Sequence, residues 1–245
     1  MRLDKFFSSQ NLASRKEMRT LIRQGAISVN GSTQIKPEQK IDTQQDVVCL
    51  KGETIEYKPF LYLMLNKPQG YVSATDDRTQ STVLDLVPEK WYRPGLFPAG
   101  RLDKDTTGLM LITDDGELAH RILSPKNHIE KAYHARISAP LPPEAIEMFA
   151  RGITLGDGYE CLPAQVTVLE DGAQPLLEII ICEGKYHQIK RMVAAAGSKV
   201  LSLKRVRMGA MILDESLPEG ACKEILHKDV EKFLTGEIAN YHSKM

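Results

Sequence analysis

No stretch of about 18 consecutive apolar residues occurs in this chain, which excludes a hydrophobic membrane-spanning helix. The opening residues, Met1-Arg2-Leu3-Asp4-Lys5, lack the apolar run of a secretory signal. Cysteine is sparse. Cys49, Cys161, Cys182 and Cys222 are scattered, and none belongs to a Cys-x-x-Cys pair, so neither a zinc site nor a disulfide framework is predicted. A reducing, cytoplasmic compartment is expected. Internal repeats, low-complexity stretches and heptads are missing as well, and a monomer is expected. Net charge is also lacking, with 32 Lys and Arg against 32 Asp and Glu. Taken alone, that balance does not favour nucleic acid as a partner.

The distribution of charge points the other way. Between Met1 and Gln24 stand Arg2, Lys5, Arg15, Lys16, Arg19 and Arg23, opposed only by Asp4 and Glu17. Between Gly184 and Met208 stand Lys185, Lys190, Arg191, Lys199, Lys204, Arg205 and Arg207, with no acid at all. Two basic zones on a balanced chain can create a local positive field that the total hides. The hydrophobic fraction of 42% and the length of 245 residues suit a globular chain of one or two domains.

The first 58 residues read as a module of their own. Ser14 and Glu17 have capping-box spacing, so a helix should start there, and Gly25 sits where it would stop. At 100° per residue, Met18, Leu21 and Ile22 share one arc and Arg15, Lys16, Arg19 and Arg23 another. One face should be buried and the next basic; a plain solvated surface is the alternative reading of that basic face. Ile27-Ser28-Val29 then leads into Asn30-Gly31, a hairpin-turn pair, with a strand expected to about Ile35 and another near Val47–Leu50. Over about residues 1–45 this order resembles the RNA-binding domain first seen in small-subunit ribosomal protein S four. The resemblance implies that the helix face and hairpin grip RNA backbone, with Arg2, Lys5, Arg15, Lys16, Arg19 and Arg23 as RNA-binding residues.

Glu53–Pro59 reads as a linker, and residues 59–245 as a second domain. Leu61–Leu65 is a buried-strand signal closed by the turn Asn66-Lys67-Pro68-Gln69-Gly70. Further strands are predicted at Gly108–Thr113, Lys131–Ile137, Ala164–Leu169, Leu176–Cys182 and Val200–Val206, and helices at Gly116–Leu123, Pro143–Gly152 and Tyr186–Ala196. They do not alternate as βαβ units, so an α+β domain with a mixed, mostly antiparallel sheet is expected.

The loop Gly100-Arg101-Leu102-Asp103-Lys104-Asp105-Thr106-Thr107-Gly108 is dense in charge and hydroxyls and precedes an apolar strand. Catalytic groups often sit in such a loop, although a surface turn with Asp and Thr capping backbone amides has the same composition. Asp103-Lys104-Asp105-Thr106-Thr107 also resembles the Asp-x-Asp-x-Thr signature of haloacid-dehalogenase phosphatases. There the Asp pair ends an apolar strand, whereas here the strand follows the pair, and that context fails.

The whole loop resembles the active-site loop of the pseudouridine synthases. Met64–Tyr71 resembles their first motif, Lys131-Ala132-Tyr133 their Lys-x-Tyr motif, and Glu183-Gly184-Lys185-Tyr186-His187-Gln188-Ile189-Lys190-Arg191-Met192 their last. All four occur in the family's order, and they look most like the RsuA branch, whose namesake acts on 16S ribosomal RNA while its relatives act on 23S RNA.

The resemblance implies isomerisation of uridine to pseudouridine, a reaction with no net loss of electrons or groups, and hence no cofactor and no metal. Asp103 matches the nucleophile. A carboxylate in a closed pocket is driven toward its neutral form, and a nearby cation counteracts that. Lys185 is the expected ion-pair partner, with Arg191 in reserve. The target base must leave its stack. Arg101 would hold the disrupted RNA, Tyr133 would stack on the flipped base and Ile189 would pack beneath it. Lys190, Arg191, Lys204, Arg205 and Arg207 are expected to neutralise phosphates, and His187 reads as structural. The implied partner is ribosomal RNA, free or within an assembling small subunit. A non-catalytic RNA-binding protein that kept the fold is the rival; Asp103, Tyr133 and Lys185 favour the enzyme.

Overall fold

The computed structural model describes residues 1–230. Its contacts divide into two compact units, Met1–Phe60 with Pro88–Leu96, and Leu61–Val87 with the chain from Phe97 onward.

The first unit begins with helix α1 (Leu3–Ser9), which buries Leu3, Phe6 and Phe7. Helix α2 (Arg15–Arg23) has the anticipated capping box. Glu17 N–H donates to Ser14 Oγ at 3.2 Å, and Ser14 N–H donates to the Glu17 carboxylate at 2.8 Å. At its other end Gly25 takes φ +68°, and the Gly25 and Ala26 amides donate to the Ile22 and Leu21 carbonyls. That left-handed stop suits glycine, which has no Cβ to clash. Met18 is buried, with Leu21 and Ile22 against the same core. Strand β1 (Ile27–Val29) follows.

The turn at Asn30-Gly31 forms, both residues having positive φ, but the strand expected to Ile35 does not. Only the single bridge Val29↔Ser32 closes it. The partner of β1 is instead β2 (Val48–Leu50), antiparallel with Ile27 opposite Leu50 and Val29 opposite Val48. Ser32-Thr33-Gln34 is polar and exposed, whereas Val48 brings an apolar side chain to the core. The Asn30 side chain fixes the exchange by accepting from Val47 N–H and donating to Asp46. The stretch read as a linker contains β3 (Glu53–Thr54), paired with β2, and Ile55 and Tyr57 lie against the core. Arg93, buried in the second segment of this unit, donates to the Lys58 carbonyl at 3.1 Å.

The second unit contains β4 (Tyr62–Lys67), β5 (Phe97–Pro98), β6 (Thr107–Thr113), α3 (Gly116–Leu123), β7 (Lys131–Ile137), α4 (Pro143–Arg151), β8 (Gln165–Glu170), β9 (Leu176–Ile181), α5 (Gln188–Ala195), β10 (Val200–Met208), β11 (Met211–Ile212) and β12 (Cys222–Glu224). The sheet runs β12-β4-β6-β10-β7-β9-β8, with β5 on β6 and β11 on β10. Every pairing is antiparallel except β6 with β10, giving the mixed, mostly antiparallel α+β domain. All residues of the neighbouring strands β4 and β6 are buried. At the parallel contact, Gly108 has φ +97° and a Cβ there would lie 2.2 Å from the Arg205 carbonyl oxygen, so only glycine fits. Tyr62, Met64, Leu111, Leu118, Ile122 and Met211 are part of one apolar core. The Tyr62 hydroxyl donates to Asp115, whose other oxygen caps α3 at the Leu118 amide.

Candidate active site

The loop from Gly100 to Thr106 enters the central strand β6, and three separate ties hold it. Ser73 Oγ donates to the Leu102 carbonyl at 2.8 Å and accepts from the Leu102 amide at 2.9 Å. Gly70 N–H donates to the Lys104 carbonyl, and Thr106 N–H to that of Asp103. The third tie is Lys67, at the end of β4. Its ammonium is buried and donates to the carbonyls of Thr106 at 2.8 Å, Pro68 at 3.0 Å and Lys104 at 3.3 Å. Burial lowers its pKa, the charges of Asp105 and Asp103 pull the other way, and the balance is about 8. The lysine of the first motif therefore binds the loop that carries Asp103.

The other wall is the start of α5. Glu183 is buried and accepts from the Leu162 amide at 2.8 Å, the Tyr159 hydroxyl at 2.7 Å and Gln188 Nε2 at 2.7 Å. Its hydrogen bond pushes the Tyr159 phenol up to about 12. Gln188 in turn accepts from the Lys185 amide. These bonds hold the turn in which His187 takes the left-handed conformation, φ 49°, just before the helix. A non-glycine residue in that region is uncommon and is held there by its surroundings.

This start places Lys190 beside the loop. Its ammonium donates to Asp103 Oδ2 at 2.9 Å and to Asp105 Oδ1 at 2.6 Å. Burial works against the lysine's charge, but the two carboxylates outweigh it and raise its pKa. Asp105 is held below the usual carboxylate range, chiefly by its hydrogen bond from Lys190. His187 Nε2 stands 3.6 Å from Asp103 Oδ1.

Asp103 lines a cavity of about 460 Å³ together with Arg101, Tyr133, Lys185, Tyr186, His187 and Ile189. Val72, Ile181 and Leu203 add apolar wall. An adjoining cleft of about 470 Å³ is bounded by Gln69, Gly70, Asp105 and Lys190 and shares Asp103 and His187 with the first. A pocket with apolar wall residues, the rings of Tyr133 and Tyr186 and one paired carboxylate suits a flat heterocycle presented to a nucleophile.

Asp103, Tyr133, Lys185, Arg101 and Ile189 are thus brought to one cavity. The ion pair assigned to Lys185 is made by Lys190 instead. Lys185 precedes the helix, and its ammonium lies 4.7 Å from the centre of the Tyr159 ring. Arg191, the reserve partner, pairs with Asp157. Lys190, expected on phosphate, is held by two carboxylates. Arg205 cannot reach phosphate as its side chain stands, because it is buried at 2% exposure and donates through Nε to the Leu109 carbonyl. Arg207 is tied to Glu130 and the Gly209 carbonyl, and Lys204 is half-buried on β10. In the first unit Arg15, Lys16, Arg19, Arg23 and Lys5 are exposed, while Arg2 pairs with Asp4.

Sequence reasoning missed the tie made by Lys67, the second carboxylate of Asp105 and the closeness of His187 to Asp103. All three residues lie inside quoted motifs, but only folding brings the motifs together. Among the described residues, no group of three or more His, Cys, Asp or Glu side chains is arranged to hold a metal ion.

Residues 61–195 match the RNA pseudouridylate synthase family, and residues 1–48 match the S4 domain. An uncharacterized RNA pseudouridine synthase of Bacillus subtilis, YtzG, is 40% identical over 94% of this chain and 97% of its own length. Ribosomal small subunit pseudouridine synthase A of Pasteurella multocida is 38% identical over 95% of this chain and 99% of its own. A crystal structure of a pseudouridylate synthase shares 38% identity and superposes with a TM-score of 0.65, covering 95% of this chain and 99% of that one. The matched region carries the paired Asp103 and its cavity, and by sequence and structure together the chain belongs to the RNA pseudouridine synthases, with an RNA-binding S4 domain at its N-terminal end.

Proposed function

We propose that the RNA this enzyme isomerises is 16S ribosomal RNA, at a specific uridine, with Asp103 as nucleophile toward a flipped-out nucleotide. The N1–C1′ bond of the uridine breaks and a C5–C1′ bond forms. The proton on C5 is lost and N1 gains one, so the reaction balances without an oxidant or a second substrate. The observation that carries the nucleophile is the single carboxylate in the apolar cavity, paired with Lys190 at 2.9 Å. For the target, the support is near full-length similarity to proteins named ribosomal small subunit pseudouridine synthase A.

In this reading Lys190 aims the Asp103 carboxylate through their ion pair, and Asp105 fixes Lys190. Tyr133 stacks on the extruded uracil with Ile189 beneath it, Arg101 holds the gap in the RNA, and Lys185 and Lys204 approach phosphates. Residues 1–58 supply affinity through Lys5, Arg15, Lys16, Arg19 and Arg23, and residues 59–245 supply chemistry. Such phosphate contacts position RNA without reading its sequence. A cytoplasmic, monomeric enzyme acting on free RNA or on an assembling subunit completes the proposal.

The test is tritium release from 16S and 23S transcripts labelled at uridine C5, with wild type and Asp103→Asn, in the presence of chelator. Release from 16S RNA alone, abolished by the substitution, is expected. Release from 23S RNA alone overturns the target, release by Asp103→Asn overturns the nucleophile, and release lost in chelator overturns a metal-free reaction.

A further inference from the structure

Tyr186 is the most exposed large hydrophobic side chain among the described residues, at 76%. It is also part of the cavity wall that contains Asp103. An aromatic ring at the rim of that cavity is a flat apolar surface open to a flat partner. One face of the ring is covered, because Tyr186 stacks on the His187 imidazole with centroids 3.8 Å apart and planes 19° apart. Its exposure therefore belongs to the opposite face and the edges. The backbone beneath is firm. The Tyr186 carbonyl accepts from Arg191, His187 is locked in its left-handed turn, and Gln188 is tied to buried Glu183. The result is a preformed two-ring stack beside the nucleophile, with exposed Arg101 and Lys185 lining the same cavity.

We propose that the free face of Tyr186 is a stacking platform for a nucleobase next to the flipped uridine. This inference rests on the placement of the reaction at Asp103. Extruding one nucleotide breaks stacking with its neighbours, and those neighbours then expose faces that need a partner. A ring next to surface cations is the kind of surface on which single-stranded bases pile, and every base has a face to offer. Tyr133 cannot do this, since it is 7% exposed inside the pocket. The Tyr186–His187 stack continues the column of rings from the RNA toward Asp103 and resists closure of the gap left by the uridine.

The test compares wild type, Tyr186→Ala and Tyr186→Phe in tritium release from the labelled 16S transcript and in filter binding of 16S and 23S transcripts. Tyr186→Ala is expected to raise KM and Kd about five- to hundredfold, the range spanned by loss of one base–aromatic stack. The effect on kcat should be much smaller. Tyr186→Phe keeps the ring and should recover most of the affinity. The slope of log Kd against log salt should stay constant, because no cation is removed. Equal Kd for wild type and Tyr186→Ala overturns the platform. A loss in kcat with KM unmoved also overturns it and makes Tyr186 a support for His187. A Phe variant as weak as Ala shifts the role to the hydroxyl and overturns stacking. If wild type releases no tritium from 16S RNA, the target reading falls, while the Kd comparison still decides on Tyr186.

Discussion

Helix α2 shows Arg15, Lys16, Arg19 and Arg23 to solvent, and none of them forms an ion pair among the described residues. The second basic stretch, from Lys185 to Arg207, has a similar density of cations but spends them internally. Lys185 lies over Tyr159, Lys190 on Asp103 and Asp105, Arg191 on Asp157, Arg205 beneath the Leu109 carbonyl and Arg207 on Glu130. Of its cations only Lys199 and Lys204 lack such a partner among the described residues. Charge density along a chain therefore does not measure charge available to a ligand. The acids that neutralise the second zone come from distant parts of the sequence, whereas the cations of α2 form no ion pair with any acid among the described residues.

The largest effect is expected where an internal cation serves the reaction. Lys190→Met should lower single-turnover tritium release at least about a hundredfold, because two carboxylates lose the charge-assisted bonds that aim and offset them. Lys190→Arg should recover part of the rate. Asp105, now held low by Lys190, should titrate at higher pH in the Met variant by carbon-13 NMR. A Met variant with near wild-type turnover would mean that Lys190 is one more surface cation and would erase the contrast between the zones.

A smaller effect should follow from removing free charge. Changing Arg15, Lys16, Arg19 and Arg23 together to Gln keeps good helix formers and leaves the Met18, Leu21, Ile22 face intact. RNA affinity should fall about ten- to hundredfold, and the slope of log Kd against log salt should flatten by up to roughly 3–3.5, given about 0.7–0.9 per phosphate neutralised. Arg205→Met is the counterpart. It should leave the salt slope unchanged while lowering the urea midpoint, since a buried donor to the Leu109 carbonyl is lost. A flattened slope in Arg205→Met would show that this zone offers free charge after all.

Legibility followed the range of the signal. Local signals held. The Ser14–Glu17 box, the Gly25 stop, and the bounds of β7 and α3 were readable, because caps and alternation act within a few residues. Helix α1 has only seven residues, too few for a period to show, although Leu3, Phe6 and Phe7 form the core. The Asn30-Gly31 turn was visible, but its partner strand lies beyond Val47, and no local rule selects it over the residues after Gly31. The site was legible as a set of motifs and as a nucleophile, but the choice between Lys185 and Lys190 was not. The left-handed turn at His187 decides it by starting α5 at Gln188, which leaves Lys185 outside the helix and Lys190 in its first turn. That conformation depends on Glu183 and Tyr159, whose contact spans 24 positions.

The smallest expected effect concerns Lys67, a cation buried more deeply than any in the second zone, Arg205 included. Its proton is released near pH 8 in the folded protein, whereas an unfolded lysine holds its proton to about 10.4. Between those values the unfolded chain carries more protons, so the contribution of this site to stability rises with pH. The native state escapes the cost of a buried charge, and a neutral amine can still donate to two of the three carbonyls. Other lysines and tyrosines titrate in the same range, so the informative quantity is a difference. The unfolding free energy of wild type minus that of Lys67→Met, from urea titrations, should shift in favour of wild type by about 1 kcal/mol between pH 7 and pH 9. A shift in the opposite direction would mean that the charged ammonium, with its bonds to Pro68, Lys104 and Thr106, is the stabilising form. Lys67 would then be an asset as a cation, and burial alone would no longer separate the cations that cost stability from those that supply it.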